Sequence, residues 1–130
     1  MSLRTRILLV DSSLTSLVWQ LVLLQEEQYD ALTASAPDEG VRIARLERPD
    51  LVILDATTRP DDVIAAATEL RGDSVTSQIP ILIVGAGRGL TSTVFASISD
   101  NQIEKPIEKV EYLYKIRELL GRRRRGGGHR

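Results

Sequence analysis

Three uninterrupted apolar runs, Ile7-Leu8-Leu9-Val10, Leu51-Val52-Ile53-Leu54 and Ile81-Leu82-Ile83-Val84, most constrain how this chain can fold. Each is too short for a buried helix and lacks polar alternation, so each reads as a strand covered on both faces. Strands of that kind belong to parallel sheets, because the crossover helices that join parallel strands also cover them. The segments between the runs should therefore be helical.

Their spacing agrees. Leu14, Leu17, Val18 and Leu21 follow the i, i+3, i+4, i+7 pattern and define the inner face of a first helix, which ends in Gln25-Glu26-Glu27-Gln28. Tyr29 to Ser35 reads as a weaker second strand. Pro37-Asp38-Glu39 places a proline and two acids in the first turn of a helix reaching about Glu47. Pro60-Asp61-Asp62 opens another, with Val63, Ala67 and Leu70 facing inward. Gly85 to Gly89 is a flexible loop, followed by a short helix through Val94, Phe95 and Ile98. A fifth strand is expected near Asn101 to Glu104. Val110, Leu113, Ile116 and Leu120 stripe a last helix expected to stop at Gly121. Five strands alternating with five helices describe a doubly wound α/β fold with a parallel sheet.

The 130 residues suffice for one domain with a single core, assigned here to residues 1–121. Residues 122–130 form a basic, glycine-rich tail or linker. Five of the 17 basic residues fall in the last nine positions, so the remainder carries 12 against 18 acidic ones and is acidic. There is no cysteine, which excludes disulfides and thiolate metal sites and is compatible with a reducing cytoplasm. No apolar stretch approaches the ~20 residues needed to cross a bilayer, and no signal peptide is evident. A cytoplasmic protein without membrane contact is expected.

In doubly wound sheets, ligands bind beyond the carboxyl ends of the strands. Reading the residues there gives Asp11 and Ser12, Asp55, Gly85 and Lys105. Two carboxylates converging without histidine or cysteine favour a hard divalent cation such as Mg²⁺. A lysine opposite them would balance an incoming phosphoryl group. Such a site lets a carboxylate act as nucleophile toward phosphorus. Either aspartate alone could simply cap the helix that follows it, but that reading leaves the convergence of three charged strand ends unexplained.

These residues resemble the response-regulator receiver domains of two-component systems, the CheY-like family. The resemblance spans roughly residues 5–120 and rests on Ile7-Leu8-Leu9-Val10-Asp11, Pro49-Asp50-Leu51-Val52-Ile53-Leu54-Asp55, Ile79-Pro80-Ile81-Leu82-Ile83-Val84 and Lys105-Pro106-Ile107. It implies a flavodoxin-like, CheY-like sheet of strand order 2-1-3-4-5. Asp55 would be the phosphoacceptor, Asp11, Asp55 and the Thr57 carbonyl the Mg²⁺ ligands, and Lys105 the phosphoryl-contacting base. Pro106 would follow that lysine in a peptide that is commonly cis. The implied partner is a histidine kinase or phosphotransfer protein, a homodimer is allowed, and no turnover enzyme is expected.

Three positions depart from the family pattern. Ser12 stands where a second acid is usual, which implies a weakened Mg²⁺ site. Gly85 replaces a hydroxyl residue after the fourth strand, and Gln102 replaces the aromatic residue three before the lysine. A hydroxyl restored at position 85 is expected to improve retention of a phosphoryl analogue. Pro60 also lies five residues beyond Asp55 instead of four. These departures motivate an alternative, a pseudo-receiver that signals by protein contact without obligatory phosphorylation.

Other features carry less. Gly85-Ala86-Gly87-Arg88-Gly89-Leu90 has the wrong glycine spacing for a dinucleotide loop, and Asp11-Ser12-Ser13-Leu14-Thr15-Ser16 lacks the glycine of a flavin phosphate loop. Arg122 to Arg125 could attract a polyanion, but the run follows a helix and enters Gly126-Gly127-Gly128, so nucleic acid is not expected as a partner. His129, the only histidine, is given no catalytic role. Trp19 and Leu23 are read as a contact patch on the outer side of the first helix.

Overall fold

The computed structural model describes residues 4–127, with side chains described through residue 122. The strands are β1 (Arg6–Val10), β2 (Asp30–Ala34), β3 (Leu51–Asp55), β4 (Ile81–Val84) and β5 (Asn101–Ile103). The helices are α1 (Leu14–Glu26), α2 (Pro37–Glu47), α3 (Pro60–Gly72), α4 (Leu90–Ile98) and α5 (Lys109–Gly127). All strands are parallel in the order β2-β1-β3-β4-β5, as the resemblance implies.

The pleat sorts the apolar runs onto two faces. Leu8, Val10, Val52, Leu54, Ile81 and Ile83 point toward α2, α3 and α4, where they meet Val41, Val63, Leu70 and Phe95. Ile7, Leu9, Leu51, Ile53, Leu82 and Val84 point the other way, onto Leu23 and Leu24 of α1 and Tyr112, Ile116 and Leu119 of α5. Each such side chain contributes roughly 1.5–3 kcal/mol by leaving water. Helix α2 closes on β1 through Gly40, where a Cβ would lie 2.6 Å from Val10 Cγ2.

A polar clamp holds the amino-terminal end of the sheet. Arg71, at the end of α3, donates through Nη1 to the Ser77 and Ile79 carbonyls at 3.2 and 3.1 Å and through Nε to the Ile98 carbonyl at 3.3 Å. Its Nη2 pairs with Asp100, whose carboxylate also accepts from the Ile81 amide at 2.7 Å.

Three expectations need correction. Helix α1 is rotated from the inferred phase: Leu14 is 74% and Val18 49% exposed, while Gln20, Leu23 and Leu24 are buried. Val110 is exposed, and α5 packs through Tyr112, Leu113, Ile116, Leu119 and Leu120. Helix α5 also passes through Gly121 to Gly127. A single glycine costs about 1 kcal/mol within a helix, and the arginines beyond it are good helix formers. The remainder of the expected tail, His129 included, lies outside the described residues.

Candidate functional site

The strand order reverses between β1 and β3, so the residues that end these strands become neighbours. Val10 pairs with Leu54, which puts Asp11 and Asp55 side by side at the carboxyl edge. Asp11 is fixed by its own turn, since the Ser13 amide donates to Oδ1 at 2.9 Å. Asp55 is fixed likewise, with the Thr57 amide donating to Oδ1 at 3.0 Å.

Lys105, just after β5, reaches across the sheet end. Its Nζ lies 2.8 Å from Asp55 Oδ2 and 3.1 Å from Ser16 Oγ. The aspartate side chain is 2% exposed and the lysine 29%, so the pair has a buried end and a wet end. The Lys105–Pro106 peptide is cis.

The strand-end reading does not reveal that α1 supplies a polar lining. Ser16 Oγ donates to Asp55 Oδ2 at 3.2 Å. The Gln20 side chain, fully buried, places Nε2 3.1 Å from Asp11 Oδ2 and 3.2 Å from Asp55 Oδ2. Its Oε1 accepts from the Tyr112 hydroxyl of α5 at 2.8 Å. Among the described residues no buried side-chain polar atom lacks a partner. The available signal was Gln20 itself, a polar residue set between the apolar segments Leu17-Val18-Trp19 and Leu21-Val22-Leu23-Leu24.

These contacts separate the two acids. Burial raises Asp11, reinforced by the charge of Asp55, and the Ser16, Ser13 and Lys105 contacts only partly offset it. Burial also acts upward on Asp55, but Lys105, the Thr57 amide and the Thr57 hydroxyl together hold it below the usual carboxylate value. Asp55 is therefore the more acidic of the two carboxyls. Burial, followed by the charges of Asp55 and Asp11, pushes the Tyr112 phenol upward, so its hydroxyl keeps its proton and remains a donor.

Gly85 has φ +72°, and its amide donates to the Ile103 carbonyl at 2.8 Å. A Cβ on it would lie 2.4 Å from Thr57 Oγ1 and 3.6 Å from Lys105 Cδ and Cε. The space expected to lack a hydroxyl is thus filled by Thr57 from the β3–α3 loop. A hydroxyl residue at position 85 would have to displace Thr57 Oγ1 and adopt the same positive φ. Gln102 is tied to α4, with Nε2 donating to the Ser92 carbonyl at 3.0 Å and Oε1 accepting from Ser92 Oγ at 3.3 Å. Ser12 is exposed.

Trp19 is 49% exposed on α1, but Leu23 is 1% exposed and belongs to the core. The inferred patch is corrected accordingly: Leu14, Val18 and Val22 are the exposed apolar residues around Trp19.

No protein-family model matches the chain. Among solved structures, the CheY-like response regulator receiver domain protein of Methanospirillum hungatei superposes with a TM-score of 0.84 at 23% identity, covering 95% of this chain and 98% of that one. The receiver domain of sensor histidine kinase PA1611 of Pseudomonas aeruginosa, which has a magnesium ion in its active-site cleft, gives a TM-score of 0.83 at 20% identity over 91% and 98% of the two chains. In sequence, RpaA of Synechocystis is 31% identical over 90% of this chain and 49% of its own length. Protein PilH of Pseudomonas aeruginosa is 30% identical over 117 residues, 88% of this chain and 97% of PilH. The chain belongs to the response-regulator receiver domains. The receiver matches nearly all of PilH, about half of RpaA and 26% of response regulator PleD of Caulobacter vibrioides. Receivers are signalling modules, and among the described residues no helix of this one is long and apolar enough to cross a membrane.

The donor chemistry suits Mg²⁺. Asp11 and Asp55 offer hard oxygens at one point, and among the described residues no imidazole or thiolate joins them. Among the described residues no cluster of three or more acidic, histidine or cysteine side chains exists to hold a metal without further oxygen ligands.

Proposed function

We propose that this receiver accepts a phosphoryl group on Asp55 from the phosphohistidine of a histidine kinase or phosphotransfer protein. An Asp55 carboxylate oxygen attacks phosphorus, the P–N bond breaks, and its electron pair leaves on the imidazole nitrogen. The product is an acyl phosphate. The observation that carries the reading is the 2.8 Å contact between Lys105 Nζ and Asp55 Oδ2, beside the buried Asp11. Lys105 neutralises the nucleophile at rest, and its wetter end lies where charge accumulates on the transferring oxygens. The low pKa of Asp55 keeps the nucleophile deprotonated.

Asp11, Asp55 and the Thr57 carbonyl would hold Mg²⁺, which when bound supplies charge stabilisation for the phosphoryl oxygens. With Ser12 in place of a second acid, binding is expected to be weak. The apolar surface of Leu14, Val18, Trp19 and Val22 leads from the site along α1 and would dock the phosphodonor protein.

The test is intact mass after incubation with acetyl phosphate and Mg²⁺, using Asp55→Ala as control. An adduct on the wild type alone supports the acceptor role. A folded sample that stays unmodified with several small donors argues for signalling by contact alone.

A further inference from the structure

Gln20 occupies an unusual place for an uncharged side chain. Its Nε2 carries two hydrogens and lies within 3.1–3.3 Å of Asp11 Oδ2, Asp55 Oδ2 and Ser16 Oγ. The two carboxylates are the closer acceptors. The amide thus bridges the acids that a divalent cation would have to bridge.

Its orientation is also fixed. Tyr112 is fully buried, and its hydroxyl donates to Gln20 Oε1 at 2.8 Å. A flipped amide would turn Oε1 toward two carboxylates, which offer no proton, and would take away the acceptor of the Tyr112 proton. Gln20 therefore cannot present its oxygen to a cation without giving up the bond it accepts from Tyr112. Mg²⁺ needs oxygen lone pairs at ~2.0–2.1 Å in near-octahedral order, and an N–H donor aimed at those lone pairs competes with it directly.

We propose that Gln20, held by Tyr112, is a built-in competitor of the divalent cation: its amide bridges Asp11 and Asp55 in the metal-free receiver and must be displaced for the ion to bind. The inference deepens the metal-assisted acceptor reading and rests on it. Gln20, Ser16 and Lys105 together supply the donors to the two buried acids. Site occupancy is also tied to the α1–α5 contact, because displacing the amide breaks the Gln20–Tyr112 bond between those helices.

The test is calorimetric titration of Mg²⁺ and Mn²⁺ into the wild type, Gln20→Met and the double variant Gln20→Met/Tyr112→Phe. Methionine keeps the length of the side chain and removes the donor. The double variant also removes the hydroxyl that would otherwise be buried without a partner, so it keeps the question answerable where the single variant folds poorly. Thermal shifts with and without metal on the same proteins give a second readout.

The expected result is at least tenfold tighter cation binding in a folded variant, with a larger metal-induced thermal shift than the wild type shows. Equal or weaker binding overturns the inference, as does no binding by any form. Acetyl phosphate labelling of the same samples separates the two readings. An Asp55 adduct with unchanged metal affinity removes only the competitor role. Absence of both adduct and metal binding removes the acceptor reading as well.

Discussion

Gly85→Ala tests whether Thr57 fills the space beside Lys105. With φ at +72°, any residue bearing a Cβ is strained at this position, which costs about 1–2 kcal/mol. The new methyl would also lie 2.4 Å from Thr57 Oγ1, so one of the two must yield. Thr57 can yield by turning its hydroxyl away from this space. Overpacking of this kind costs about 1–3 kcal/mol. The single variant should therefore lose about 2–5 kcal/mol. In a Thr57→Ala background the steric share disappears, and Gly85→Ala should cost only the backbone strain of about 1–2 kcal/mol. Urea unfolding at equilibrium, followed by far-UV circular dichroism, gives the four corners of the cycle. Additive losses, with no coupling between the two positions, would refute the argument that the Thr57 hydroxyl occupies this space. The same contact implies that Gly85→Thr alone does not improve retention of a phosphoryl analogue.

Lys105→Ala should remain folded but lose about 1–3 kcal/mol, because Asp55 stays buried without its cation, and its acetyl phosphate adduct should fall sharply; a normal adduct yield by mass would remove Lys105 from the chemistry. Arg71→Ala should cost about 2–4 kcal/mol in urea unfolding, because it strips donors from three carbonyls and from Asp100. Trp19→Ala should weaken phosphotransfer from a protein donor roughly tenfold while leaving acetyl phosphate labelling unchanged, and a loss in both assays would point to the site instead. Asp11→Asn should stabilise the metal-free protein at neutral pH. The raised pKa of Asp11 means its charged form opposes folding above that pKa, and the penalty vanishes as pH falls and the acid protonates. A stability gain in Asp11→Asn that persists unchanged at acid pH would contradict this assignment.

The centre of the sheet was legible because β1, β3 and β4 are apolar runs, so Asp11 and Asp55 followed from counting to the strand ends, whereas Lys105 follows the short and mostly polar β5. The α1 lining was not legible for a physical reason. Periodicity searches for apolar stripes, but the inner face of α1 mixes Ser16 and Gln20, which cover the acids, with Leu17, Leu21, Leu23 and Leu24, which pack on the core. Following the leucines and valines alone rotated the helix and put Leu14 and Val18 inside. The Thr57 contact was equally out of reach, since a glycine shows that a Cβ is absent without showing which distant side chain uses the room. Gly121 misled because a glycine stops a helix only when the backbone turns left-handed there.

The Arg71 clamp gives the receiver two unlike poles. At one, a guanidinium binds the end of α3 to the Ser77 and Ile79 carbonyls, to the α4 carbonyl of Ile98 and to Asp100 ahead of β5, in bonds that depend little on what happens at Asp55. At the other lie Asp11, Asp55 and Lys105, with Gly85 beside Lys105 and Thr57. A change at Asp55 is therefore expected to disturb the Arg71 pole least, and hydrogen exchange at the Ile81 amide, which donates to Asp100, would check it.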